Sequence, residues 1–213
     1  MICVSLAEVT PETCLRVLKG IDFAEIRIDR IAKVEAKSIR KIFSRHSRLI
    51  ATCRPGRIGP KKKYELLAAA ILAGARFVDL ELDWNKPLRA KLIKLARRVG
   101  CQVIISFHDY RRTPSRPTLE RLVGRCFRAG ADIAKIACRV RSKADNARLL
   151  GLLDSDRPLV VVGLGDLGKL TRVVAPLLGS RFTFASRGKG KEVVEGQIPE
   201  TDLATHIARL RNV

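Results

Sequence analysis

A chain of 213 residues with 46% hydrophobic and 30% charged side chains can bury a full core and has no polar low-complexity tract, which excludes disorder and fibrous repeats. Its longest apolar stretch, Leu66 to Ala75, is about half of the ~20 residues a membrane helix needs, so no membrane partner is expected. A net charge of +21 suits a polyanion, but Lys and Arg are spread along the chain and aromatics are only 5%, too few for base stacking, so small anions are expected and nucleic acid is not.

In chain order, short β-branched apolar runs alternate with amphipathic stretches of helical period. Strands are predicted to begin near Ile2, Phe23, Leu49, Phe77, Gln102, Asp132, Leu159 and Phe182. Helices are predicted over Pro11 to Leu18, Glu35 to Phe43, Lys63 to Ala73, Pro87 to Val99, Thr118 to Ala129, Lys143 to Leu153, Leu167 to Leu178 and Thr201 to Leu210. Thr10-Pro11-Glu12 and Pro117-Thr118-Leu119-Glu120 carry helix-start chemistry, and Gly20, Gly74, Gly100 and Gly130 stand where helices should stop. Strict β-then-α repetition implies a parallel sheet, and a count of eight favours an α/β fold closed as a (β/α)8 TIM barrel over residues 1–213, one domain, with an open doubly wound sheet as the other architecture.

The six cysteines, Cys3, Cys14, Cys53, Cys101, Cys126 and Cys138, form no C-x-x-C pair and lie in or beside apolar runs, as buried reduced thiols would. Met1-Ile2-Cys3-Val4 begins as a strand without a charged leader, so a cytoplasmic location is expected, with no metal.

In a parallel barrel the helices cover the outer face of each strand, so the apolar half of an alternation points outward and the remainder inward. Glu25, Arg27 and Asp29 then point in from the second strand and Thr52 and Arg54 from the third. Asp79, Glu81 and Asp83 follow from the fourth, Ser106 and His108 from the fifth, and Lys135 from the sixth. Buried charges cost several kcal/mol each unless paired, so such a cluster either satisfies itself or serves a ligand. Lys135 lies in the apolar run Asp132-Ile133-Ala134-Lys135-Ile136-Ala137, where poor solvation favours the neutral, nucleophilic amine; a rim lysine reaching water is the other reading. His108 is one of three histidines and falls on a strand flanked by those carrying Glu81 and Lys135, so that an amine, an imidazole and a carboxylate become neighbours. Gly163-Leu164-Gly165-Asp166-Leu167-Gly168 has the dinucleotide-binding spacing, but only one strand follows it, and the expected acidic residue is replaced by Ser186-Arg187-Gly188-Lys189. The glycines are read as a tight, anion-tolerant turn.

At these residues the sequence resembles type I 3-dehydroquinate dehydratases. The resemblance runs through Glu25 to Asp29, Thr52-Cys53-Arg54, Asp79-Leu80-Glu81, Ser106 to Tyr110, Asp132 to Ala137, Gly163 to Arg172, Thr183-Phe184-Ala185 and Gly196-Gln197. It implies a lyase that dehydrates 3-dehydroquinate to 3-dehydroshikimate in the shikimate pathway. Lys135 would form a Schiff base with the ketone, His108 would carry the proton and Glu81 would orient the imidazole. Arg172 would take the substrate carboxylate, while Ser5, Glu25, Arg27, Arg54 and Gln197 would hold the ring hydroxyls. The iminium is the electron sink, so no cofactor or metal is required, and a homodimer is implied as the assembly. Where the family usually has Ser and Pro before the Gly-Gln pair, this chain has Val193-Val194-Glu195, and Pro55 to Pro60 replaces an acidic, glycine-bearing segment after Arg54. A class I aldolase or transaldolase barrel, a nicotinamide enzyme and a basic nucleic-acid-binding protein are the competing readings.

Overall fold

The computed structural model describes residues 1–211 and shows eight strands alternating with eight helices. The strands are β1 (Ile2–Leu6), β2 (Ala24–Arg27), β3 (Leu49–Thr52), β4 (Phe77–Glu81), β5 (Gln102–Asp109), β6 (Ile133–Arg139), β7 (Leu159–Leu164) and β8 (Thr183–Ser186). The helices are α1 (Pro11–Val17), α2 (Ala36–Phe43), α3 (Pro60–Leu72), α4 (Lys86–Arg98), α5 (Arg116–Arg128), α6 (Lys143–Gly151), α7 (Lys169–Val174) and α8 (Glu200–Arg211). One sheet holds all eight strands in the order β7-β6-β5-β4-β3-β2-β1-β8, and the β1–β8, β2–β3, β3–β4 and β6–β7 pairs are parallel. Sequential order with β8 beside β1 is the strand order of a (β/α)8 TIM barrel, not of an open doubly wound sheet.

The chain packs as two compact units, Leu6–Ile104 and the remainder, Met1–Ser5 with the chain from Ile105 onward. Within Leu6–Ile104, β2 and β3 are buried at every residue, as strands covered on both faces must be. Thr10 Oγ1 accepts the Thr13 N–H at 3.2 Å to start α1, and Asn85 Oδ1 accepts the Leu88 N–H at 3.1 Å to start α4. Helix α2 turns Ile39, Ile42 and Phe43 inward, each burial contributing about 1.5–3 kcal/mol over exposure. Gly74 follows α3 at φ 102°, where a Cβ would clash with the following carbonyl.

In the other unit, Ser142 and Asp145 cap α6 reciprocally, and Ala185, Leu203 and Ile207 form a cluster that Ile2, Val173 and Ile198 complete, seating α8 on β8. The Arg181 N–H donates to the Leu159 carbonyl at 2.8 Å, tying the start of β8 to β7. The single helix expected over Leu167 to Leu178 is instead three pieces, 3-10 turns at Asp166–Gly168 and Ala175–Leu178 flanking α7. Pro176 explains the last break, because it has no N–H to donate and its ring would meet the carbonyl of Arg172. All six cysteines are buried.

Candidate active site

Within Leu6–Ile104, the C-terminal ends of β2, β3 and β4 carry a paired charge cluster. Arg54, one residue beyond the Cys53 that follows β3, donates from Nη1 to Asp79 Oδ1 at 2.9 Å and from Nη2 to Oδ2 at 2.7 Å. Its Nη2 lies 3.9 Å from Glu25 Oε1 and its Nη1 3.6 Å from Glu81 Oε1. Glu25 Oε1 accepts the Thr52 hydroxyl at 2.9 Å. Arg27 forks onto Asp29 through Nε at 3.0 Å and Nη2 at 2.7 Å, and Asp29 Oδ1 also accepts the Arg54 backbone N–H at 3.1 Å. Burial opposes the Arg54 charge, but the Asp79 charge and hydrogen bonds, with Glu25 and Glu81, more than offset it and hold the guanidinium above its ordinary range. Burial also works against the Asp29 carboxylate, yet the Arg27 fork and the backbone donors keep it below the usual aspartate value.

Of the residues expected to point inward here, Asp83 alone is exposed, and Thr52 and Asp79 are at most 1% exposed. Glu25, Arg27 and Arg54 are at most 8% exposed, and Glu81 is half-buried at the end of β4. Asp83, expected to point inward, is exposed: the strand stops at Glu81 and Trp84 N–H turns back to the Glu81 carbonyl at 3.1 Å, so the alternation no longer applies. Asp29 leaves the strand for a 3-10 turn at Ile28–Arg30 and still meets Arg27.

In the other unit Lys135 sits mid-strand in β6, 4% exposed, with Nζ 4.0 Å from the centroid of the Phe184 ring. Arg172 on α7 is 1% exposed; its Nη1 donates to the Phe184 carbonyl at 3.1 Å and its Nε has no acceptor among the described residues. Desolvation alone pulls this guanidinium down to about 10. The Gln197 amide donates to Ser5 Oγ at 3.0 Å, while its Oε1 accepts the Val193 N–H at 2.7 Å. His108, near the end of β5, stacks on Tyr110 with centroids 5.9 Å apart. Ser5, Lys135, Arg172 and Gln197 are thus all buried, and Phe184, to which the sequence reading assigned no role, links two of them.

The glycine-rich turn after β7 is a packing device. A Cβ on Gly163 would lie 2.8 Å from the Gly168 Cα, and one on Gly196, at φ 85°, would overlap the backbone of Gly165. That close approach lets the Gly165 N–H donate to the Glu195 carbonyl at 3.1 Å, beside an ion pair between Arg139 at the end of β6 and the Glu195 carboxylate. Among the described residues no group of three or more His, Cys, Asp or Glu side chains is placed to share a cation.

Fold and side chains define a (β/α)8 barrel that gathers paired charges at strand ends and buries a lysine amine in β6. The family model for type I 3-dehydroquinase matches residues 2–210. A 3-dehydroquinate dehydratase of Methanocaldococcus jannaschii is 32% identical with all of both chains covered, and one of Methanococcus maripaludis is 36% identical over 85% of this chain and 84% of its own. The crystal structure of the 3-dehydroquinate dehydratase from Aquifex aeolicus superposes with a TM-score of 0.85 at 26% identity over the whole of both chains. The type I enzyme from Clostridium difficile, 22% identical, shares the fold at 0.88, covering 99% of this chain and 92% of its own. The chain belongs to the type I 3-dehydroquinase family.

Proposed function

We propose that this protein dehydrates 3-dehydroquinate to 3-dehydroshikimate through an imine on Lys135, serving the shikimate pathway. The observation that carries the reading is the pair of basic side chains that meet at Phe184: an amine buried in an apolar strand, and a guanidinium buried with a donor to spare. The Lys135 amine adds to the substrate ketone and expels water, giving an iminium. The iminium acidifies the adjacent C–H, and His108 removes that proton, so the bonding pair moves into an enamine. The enamine expels the β-hydroxyl, which leaves as water with the proton returned by His108, and hydrolysis of the conjugated imine releases the enone and restores the amine. By family resemblance Glu81 serves as the carboxylate partner of the imidazole.

Arg172 binds the substrate carboxylate, because a buried guanidinium with one backbone acceptor favours an anion that accepts two N–H groups at once. Ser5, Glu25, Arg27, Arg54 and Gln197 hold ring hydroxyls, with Arg54 and Arg27 pre-oriented by Asp79 and Asp29 so that little side-chain entropy is lost on binding. A single catalytic domain, a cytoplasmic location and a homodimeric assembly complete the proposal; no helix among the described residues is long and apolar enough to cross a membrane. The test is to mix protein, 3-dehydroquinate and borohydride and map the mass increment. An adduct on Lys135, lost with enone formation in Lys135→Ala, is expected. Full turnover by Lys135→Ala, or an adduct on a different lysine, refutes the mechanism.

A further inference from the structure

Lys63 is the most deeply buried basic side chain in Leu6–Ile104, 2% exposed, and no step above uses it. It lies in the first turn of α3, where the helix dipole disfavours a cation, and its neighbours Lys61 and Lys62 are exposed, Lys62 pairing with Glu65 at 3.6 Å. The Lys63 Nζ makes no hydrogen bond among the described residues and stands 4.6 Å from the centroid of the Trp84 ring. A leucine would fill the same space without the desolvation cost of a buried ammonium, so a local electrostatic reason is required.

That reason is at the ends of β3 and β4. The charged and titratable groups acting on Lys63 are Cys53 and Arg54, just beyond β3, and Glu81 and Asp79 from β4. Burial keeps the Cys53 thiol neutral, its value pushed up to about 11, so the acids that matter are the two carboxylates. Around Arg54 the cluster sets Glu25, Asp29, Asp79 and Glu81 against Arg27 and Arg54, and the charges of Glu81 and Asp79 reach Lys63 from that cluster. Trp84 is fixed to the same turn as Glu81: its N–H donates to the Glu81 carbonyl, and buried Arg89 donates from Nη1 to the carbonyls of Glu81 at 3.4 Å, Trp84 at 3.1 Å and Leu82. The indole that cradles the ammonium therefore moves with the backbone of Glu81.

We propose that Lys63 is a positioning residue for the dehydration: seated on Trp84, its ammonium holds the Glu81 carboxylate as an anion in a fixed place beside Arg54. This rests on the role given to Glu81 above. Lys63 touches neither substrate nor reacting atoms; it acts through Glu81.

The test uses Lys63→Met and Lys63→Arg in the full chain, with circular dichroism to verify folding. Lys63→Met is expected to keep the borohydride adduct on Lys135 but to lose about tenfold in kcat at neutral pH. The acidic limb of its kcat profile should move up by about one pH unit, because a carboxylate deprived of a cation holds its proton to higher pH. Lys63→Arg is expected to bring the limb back. A folded Lys63→Met with the wild-type limb overturns the proposal, as does a folded Lys63→Arg that fails to restore it. Trp84 is the only tryptophan, so its fluorescence reports the charge on Lys63 without substrate. In wild type the emission should change as Lys63 titrates below the ordinary lysine value of 10.5, burial being the main cause. In Glu81→Gln that transition should move to lower pH, since an ammonium that loses a carboxylate gives up its proton more readily; an unmoved transition overturns the coupling even if Lys63→Met does not fold. Wild-type protein that forms neither adduct nor enone refutes the proposed function instead, and leaves the fluorescence coupling to be judged by itself.

Discussion

Replacing Arg54 with methionine removes the cation around which the buried acids are arranged. The Asp79 side chain is 0% exposed and loses two hydrogen bonds of 2.7 and 2.9 Å, while Glu25 and Glu81, 6% and 18% exposed, lose a cation within 4 Å. Breaking a buried pair by deleting one member costs about 3–5 kcal/mol, which is a large share of the ~5–15 kcal/mol that holds a domain folded. Urea denaturation followed by circular dichroism at pH 7 should show that loss for Arg54→Met. Arg54→Met combined with Asp79→Leu should regain at least half of it, because the second change removes the buried carboxylate that the first strands. A single variant within about 1 kcal/mol of wild type would mean that water or another group already solvates Asp79, and would refute the argument from desolvation. A double variant no better than the single would show that packing, not charge, dominates.

Arg172→Lys keeps the charge but loses the fork, and should raise KM about 10–100-fold in steady-state assays with the adduct on Lys135 still forming, the equivalent of one charge-assisted hydrogen bond; an unchanged KM would remove Arg172 from carboxylate binding. Gly196→Ala places a Cβ at φ 85° against the Gly165 backbone, and should cost about 1–3 kcal/mol in chemical denaturation while loosening the segment that leads to Gln197. Asp29 has a folded value below the ordinary 3.8, so its contribution to stability is complete above the unfolded value and is lost as pH falls through the folded one. The stability gap between wild type and Arg27→Met should therefore be wider at pH 6 than at pH 3, and an equal gap at both would show that Arg27 acts through packing alone.

Much of this architecture was legible in the chain because it is written in local periodicity. Every strand begins within one residue of the position expected from its apolar run, and the barrel follows from the count of eight and the absence of hairpin turns. The inward positions of Glu25, Arg27 and Arg54 follow from a side-chain period of two that cannot slip without exposing Ala24 and Ile26. Asp83 shows the limit of that rule, which holds only while the strand continues.

Local pattern could not assign the partners. That Arg54 takes Asp79 by both nitrogens, or that Lys135 and Arg172 share Phe184, depends on residues distant in sequence being brought within a few ångströms, and nothing in the spacing ranks one acid above another. Lys61, Lys62 and Lys63 make the point most sharply, since the helix is expected to begin only at the third and nothing local sets one lysine apart from the other two. The helix begins instead at Pro60, and successive residues advance by about 100° around its axis, so one of the three must face the body of the protein. The sequence by itself determined the elements, their order and the inward face of each strand, because those depend on neighbours along the chain. Only the tertiary structure decided that Lys63 is the buried lysine and that Trp84 and the β4 acids receive it, because desolvation and charge pairing depend on neighbours in space.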